Sequence, residues 1–372
     1  MTNKCRLTDG DLFKCFTWEK FPVFAGCVDL GIDKKTDILQ DMNWYISDKG
    51  CIQIFPLPTL DEVYQNNHND SVGVTWNKHH KEFAEFIETY TPKNVLEIGG
   101  ASGILSEIYS KKNETKWTII EPNPLKLDYF PANIIKKFFY SEDLKDEYDC
   151  IIHSHLFEHL QYPKIFMEQL SKIREGTFHI FSIPNQRISL NKQYSNCLFF
   201  EHSFLAHEDY VDTLLRNNGF KIIEKKYYSE HSIFYATVKD NSENVLQEYI
   251  NLHDVNKKLL YTYNANLQRF VYKINKTISF NQETYIFGAH VFTQVLLNKG
   301  LDSSKLRGII DNSTAKIGKR LYGTNLEVYS PNILNGDREI NIILDAGNYM
   351  QEIYSQLRSL NNNITFIVKE II

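Results

Sequence analysis

The sequence predicts an α/β fold: a doubly wound parallel sheet, with a small irregular module before it and a second, smaller α/β unit after it. Three observations carry this. Val95-Leu96-Glu97-Ile98-Gly99-Gly100-Ala101-Ser102-Gly103 reads as an apolar strand running into a glycine-rich turn, and Trp117-Thr118-Ile119-Ile120-Glu121-Pro122 as a strand ending in a carboxylate. Strands and helices then alternate to about Lys239, the signature of a parallel sheet with helical crossovers. The order strand, glycine, helix, strand, acid returns in Tyr285-Ile286-Phe287-Gly288-Ala289, Val291 to Lys299, and Arg307 to Ile310 followed by Asp311.

Taken in order, residues 1–78 are irregular, with scattered aromatics and Cys5, Cys15, Cys27 and Cys51. None of these cysteines is paired at the C-x₂₋₄-C spacing of structural zinc sites, so isolated buried cysteines are expected. From His79 to Thr91, Phe83, Phe86, Ile87 and Tyr90 recur at helical spacing. Asp149 to His155 reads as the fourth strand with the loop after it, and Phe178 to Ile183 as a further strand. From Ser242 to Ile278, residues including Val245, Leu246, Leu260, Tyr263, Leu267 and Ile274 fit one or two connecting helices with an apolar face. The expected units are an N-terminal module (1–78), a main α/β core (79–240), a helical connector (241–280) and a C-terminal Rossmann-like unit (281–372).

A chain of 372 residues holds two or three such domains. The net charge is −5, with Lys and Arg spread along the chain, which argues against a nucleic-acid footprint. No run is long and apolar enough to span a bilayer, and Met1-Thr2-Asn3-Lys4-Cys5-Arg6 lacks the apolar segment of a signal peptide. A cytoplasmic protein is expected, where six cysteines do not make a disulfide framework.

The turn at Gly99, Gly100, Ala101 and Gly103 lets the backbone approach a ligand closely. It departs from the G-x-G-x-x-G spacing of pyrophosphate sites. Glu97 beside it would repel a pyrophosphate and suits a cationic, phosphate-free ligand such as S-adenosylmethionine. Glu121, with Pro122 after it, is placed for ribose hydroxyls. Ligands of open parallel sheets lie beyond the strands' carboxyl ends, so His153 and Ser154 are expected beside that cofactor, with His155, Glu158 and His159 close by. The HExxH arrangement is absent and no metal is expected. A second cluster, Phe199-Phe200-Glu201-His202, sets a Glu-His pair among aromatics, where partial burial would tune both groups toward neutral pH for general-base work.

Together these features resemble the sugar C-methyltransferases that act on nucleotide-linked keto-deoxysugars, over nearly the whole chain. Val95 to Gly103 matches that family's VLEIGxxxG turn, Ser154-His155-Leu156-Phe157-Glu158-His159 its strand and histidine loop, and Phe199 to His202 its YxEH motif. Tyr285 to Ala289, Ile309-Ile310-Asp311-Asn312, Ile317-Gly318-Lys319 and Gly323-Thr324 match its C-terminal domain. The resemblance implies a class I methyltransferase Rossmann-like core that uses S-adenosylmethionine, and a role in surface glycan or deoxysugar synthesis. It implies His202 as base, Glu201 orienting it, His159 or a neighbour at the enolate oxygen, and Phe199, Gly288 and Asp311 toward the substrate. Two departures stand out. The family's paired zinc cysteines are reduced to Cys5 with Thr8, and Ile46 with Lys49, so the module is expected to be degenerate and zinc-free. The tyrosine ahead of Glu-His is Phe199. O- or N-methylation of a similar small acceptor remains open, as do a non-catalytic scaffold and a nicotinamide-dependent sugar-modifying protein.

Overall fold

The computed structural model describes residues 4–64, 73–101, 103–124, 132–197, 199–243 and 246–369. Ser102 of the glycine turn, Val245 of the connector pattern and the first three residues lie outside them.

The N-terminal segment is more regular than its sequence suggests. β1 (Leu12–Pro22), β2 (Cys27–Asp29), β3 (Leu39–Ser47) and β4 (Ile52–Ile54) precede a short helix, α1 (Leu60–Val63). Strands β1, β3 and β4 form an antiparallel sheet. Register shifts between Lys14 and Phe16 and between Trp18 and Phe21 break its inside-outside alternation. Bulges of this kind erase the period-2 signal, which is why the segment read as irregular. α2 (Val74–Glu88) starts earlier than its expected beginning at His79 and buries His79, Phe83, Ala84, Phe86 and Ile87 along one face.

The main sheet follows: β5 (Asn94–Ile98), α3 (Ile104–Ser110), β6 (Lys116–Ile120), β7 (Asn133–Ile135), β8 (Cys150–Ser154), α4 (Pro163–Leu170), β9 (Phe178–Pro184), α5 (Gln186–Asn191), α6 (Glu208–Asn217), β10 (Phe220–Tyr228) and β11 (Ser232–Lys239). Its order is β10-β11-β9-β8-β5-β6-β7. From β9 to β7 all pairs are parallel. The expectation of a wholly parallel sheet fails at one edge, where β11 runs antiparallel to both β9 and β10. Only Ser229, Glu230 and His231 join β10 to β11, and so short a link permits only a hairpin. The chain leaves β5 toward β6 and β7, then returns on the other side through β8. That reversal opens a crevice beyond the carboxyl ends of β5 and β8.

α7 (His253–Thr277) supplies the connector, beginning later than the sequence pattern at Ser242. The last unit comprises β12 (Glu283–Phe287), α8 (Val291–Asn298), β13 (Gly308–Ile310), β14 (Lys319–Leu321), β15 (Val328–Tyr329), β16 (Ile340–Leu344), α9 (Met350–Leu360) and β17 (Ile364–Val368). Five of its strands form a parallel sheet in the order β15-β13-β12-β16-β17, again reversing beside its first strand. The sixth, β14, pairs with β2 of the N-terminal segment. Within that pair the buried Arg320 of β14 grips Asp37 with two bonds, Nη1–Oδ2 2.6 Å and Nη2–Oδ1 2.9 Å. One apolar cluster joins Trp18 and Trp44, Tyr263 and Phe270 of α7, and Ile286, Val295 and Leu321. The N-terminal sheet, the connector and the C-terminal unit therefore share a core.

Candidate active site

The crevices of the two parallel sheets open into one cavity of about 930 Å³. On the main-sheet side, Gly99 (φ 74°) turns the chain out of β5, and its N–H bonds Ile120 O at 2.9 Å. A Cβ at Gly100 would lie 2.7 Å from Ile119 Cγ2 and 2.9 Å from Glu97 Cδ, so the turn packs with no room for a side chain. Glu121 Oε2 accepts from Ala101 N (3.1 Å) and Oε1 from Asn123 N (2.8 Å), fixing its carboxylate at the turn. Glu97 is almost fully buried and accepts from Trp117 Nε1 at 2.8 Å. Burial raises its pKa to about 7, with the nearby Glu121 charge adding to the rise and the indole bond opposing it. A cation above this turn would favour the ionised form. The buried carboxyl and tight turn thus fit a cationic cofactor and disfavour a pyrophosphate.

Glu97, Gly99, Gly100, Ala101, Glu121, Pro122 and Ser154 all line the cavity. His153 and Gly103 are not among its lining residues. The strand's alternation turns the His153 ring inward, where it meets His179 (Nε2–Nε2 3.0 Å) and stacks on Phe181. This corrects the expectation that His153 sits beside the cofactor. Gly103 (φ 66°) caps α3.

The second wall carries the histidine loops. His159 and His202 lie edge to face with ring centres 4.6 Å apart, and Phe199 packs on His202 at 4.5 Å. Glu201, His202, His159 and Phe199 all line the cavity. Burial drives the His202 pKa well below the usual histidine range, with His159, His155 and His290 adding smaller effects. Neutral imidazole is therefore the resting form at pH 7. For His202 the expected tuning toward neutral pH is replaced by a downward shift, because burial and the neighbouring histidines all push the same way.

Two residues that sequence reasoning missed bear on this wall, one lining it and one bracing it from outside. Tyr64 OH lies 2.8 Å from His159 Nδ1. Its phenol is held neutral, with a pKa well above normal through burial first and the charges of Glu201 and Glu158 next. A phenol thus reaches the cavity although position 199 lacks one. Its signal was the Thr59-x-x-Glu62 capping box, whose reciprocal bonds set α1 immediately before Tyr64. Arg6 is the other. Its guanidinium donates to Gln161 O (3.0 Å), Ser203 Oγ (2.9 Å), Ser203 O (2.7 Å) and Ile54 O (3.1 Å), tying the loops after His159 and His202 together.

Beside Arg6 two cysteines expected to be isolated meet: Cys51 stands against Cys5, and the hydrogen bond between them brings the Cys5 thiol pKa down to about 6. Ile46 is buried in β3.

The third wall belongs to the C-terminal unit. Gly288 (φ 101°) leaves β12 as Gly99 leaves β5, and its N–H bonds Ile310 O at 2.8 Å. Asp311 accepts from Ala289 N and Ser313 N, both at 2.8 Å, and pairs with Lys316 Nζ at 3.5 Å. Gly288, Asp311, Asn312, Ser313 and Lys316 all face the cavity.

Residues 76–225 match the family model described as a methyltransferase domain. No curated protein matches the chain. Among solved structures it is similar to one from Listeria monocytogenes that is described as an S-adenosylmethionine-dependent methyltransferase (12% identity, 44% of this chain and 99% of that one, TM-score 0.36). It is also similar to magnesium protoporphyrin IX methyltransferase from Synechocystis PCC 6803 with bound SAH (14%, 45% and 89%, 0.36), and to the N-methyltransferase NodS from Bradyrhizobium japonicum WM9 (12%, 46% and 99%, 0.34). Residues 76–225 thus carry a methyltransferase domain, built on a Rossmann-like α/β core with a turn that fits a cationic cofactor such as S-adenosylmethionine.

Proposed function

We propose that this methyltransferase acts at carbon on a nucleotide-linked keto-sugar, with His202 as the base. The observation that carries the reading is the shared cavity. It joins an acidic turn on one sheet, a Tyr-His-His wall in the middle and a lysine-bearing turn on the other sheet.

Glu97, the backbone of Gly99 to Ala101, Glu121 and Ser154 would hold the cofactor. When bound, S-adenosylmethionine supplies a methyl group made electrophilic by its sulfonium. The chain's own work is to place the acceptor and move a proton. Neutral His202 takes a proton from the carbon beside the sugar ketone, and the electron pair moves onto the ketone oxygen. The Tyr64–His159 pair donates toward that oxygen as charge develops. Glu201, largely buried within this wall, is assigned to positioning. Phe199 covers the acceptor, while Gly288, Asp311 and Lys316 receive the nucleotide end, where an ammonium favours phosphate.

Phe199 favours a second reading. Without a phenol at that position, the same His202 could serve a sugar hydroxyl or amine. Incubating the protein with labelled cofactor and a panel of nucleotide-sugars, then locating the methyl group by mass analysis, decides between them. Carbon-bound label is the expected result, with solvent deuterium entering that same carbon when the cofactor is left out. A methyl on oxygen or nitrogen with no exchange replaces the first reading by the second.

A further inference from the structure

We propose that His79, His155 and His231 form a site for one divalent transition-metal ion of the zinc type on the cavity wall, with an open position facing the acceptor. The three histidines come from α2, the end of β8 and the β10–β11 hairpin, and one ring nitrogen from each lies within 4.8 Å of the others. Tetrahedral zinc with Zn–N bonds of about 2.0–2.1 Å sets its ligand nitrogens about 3.4 Å apart, so side-chain shifts of about 1 Å close the set.

Three further features point to a ligand. His79 is fully buried, and neither of its ring nitrogens has a hydrogen-bond partner among the described residues. Native cores rarely leave a polar group in that state, and a metal bond resolves it. His155 holds a left-handed backbone (φ 49°) although it is not glycine, and strain of this kind gathers at functional positions. Its Nδ1 lies 3.2 Å from Glu158 Oε1. A carboxylate close behind the imidazole is common among metal ligands, and the other nitrogen, Nε2, points to Ser232 Oγ within the cluster. Nε2 of His155 and Nδ1 of His231 both reach Ser232 Oγ, at 2.8 and 2.6 Å, and Nε2 of His231 lies 3.0 Å from Tyr349 OH; the two rings converge on the serine hydroxyl, which a bound ion would displace. Trp76 closes one side, with ring centres 4.9 Å from His155 and 4.8 Å from His231.

Three imidazoles match zinc, cobalt or nickel better than magnesium or calcium. His155 and His231 line the cavity while His79 lies behind them, so the fourth position opens toward the acceptor. A metal there would polarise an acceptor oxygen; this role, unlike the binding site itself, rests on the acceptor reading given above.

The test titrates full-length protein, stripped with a chelator, with Zn²⁺ by calorimetry and with Co²⁺ by visible absorption. One equivalent with the spectrum of a four-coordinate nitrogen-rich site is expected. H231Q, which alters a cavity-lining ring, and H79Q should each weaken binding by at least about a hundredfold, since even outer partners are worth 10–100-fold. The C5S/C51S and H202Q variants should keep it. Cofactor binding certifies the fold of each variant, and if H79Q does not fold, H155Q takes its place. Absence of a saturable equivalent, or binding retained in H231Q, overturns the proposal. So does loss in H202Q alone, which would move the ion to the neighbouring Glu158, His159 and His202 group. Stoichiometric metal in a protein that methylates no nucleotide-sugar upholds the site and rejects the acceptor reading instead.

Discussion

Compare the turn after β5 with the turn after β12. In each, a glycine N–H bonds the last carbonyl of the neighbouring strand (Ile120 or Ile310), and an acid beyond that strand accepts two backbone N–H groups. The surroundings differ. Glu121 stands at the turn above a second buried carboxyl, Glu97, whereas Asp311 is paired with Lys316. A shared backbone device thus carries two different charge settings. The turn belongs to the fold, and the charges set around it choose between a cation and an anion.

The largest expected effect lies between the two turns. His202→Asn should lower turnover by about 10²–10⁴-fold, the usual worth of a general base, with affinity for cofactor and acceptor nearly unchanged in binding assays. If His159→Ala abolishes activity while His202→Asn keeps half of it, the base is His159.

Next come the acids. Glu121→Ala removes a charged acceptor worth about 1.5–3 kcal/mol, so calorimetry should find S-adenosylmethionine bound at least about tenfold more weakly. Asp311→Ala should leave that affinity alone and raise the KM of the acceptor. Equal effects of both variants on the cofactor would erase the distinction between the turns.

The third test uses pH. Burial raises Glu97 to about 7, so the carboxyl is neutral below that pH and ionised above it. A cationic cofactor favours the ionised form, and its affinity should climb up to about tenfold from pH 6 to 8, flattening in Glu97→Gln. Stability of the free protein runs the other way. The contribution of Glu97 is fully present below its unfolded value and is lost as pH rises through about 7. The smallest effect is expected for Lys316→Ala: an acceptor KM raised about three- to tenfold, shrinking as salt is added.

The two turns were legible in sequence because each is local: a few apolar residues, a glycine, and an acid about twenty positions on. The same locality put His159, His202, Phe199, Gly288 and Asp311 on one cavity, since all follow the carboxyl ends of strands. Contacts made only by packing stayed hidden. Tyr64 reaches His159, Arg6 reaches Ser203, and Cys51 reaches Cys5 across distances that no spacing rule covers. Periodicity also failed where the chain departs from it, at the bulges of β1 and at the strand end where His153 faces the wrong side.

The pairing of β2 with β14 bears on how the chain is made. Cys27–Asp29 meets a partner, Lys319–Leu321, that leaves the ribosome nearly three hundred residues later. At about 5–20 residues per second the delay is on the order of fifteen seconds to a minute. Through it, the apolar side of the first sheet, with Trp18, Phe21 and Trp44, lacks the α7 and C-terminal residues that later cover it. The β1–β4 segment is thus made well before the strands that complete it, and chaperone dependence should concentrate there.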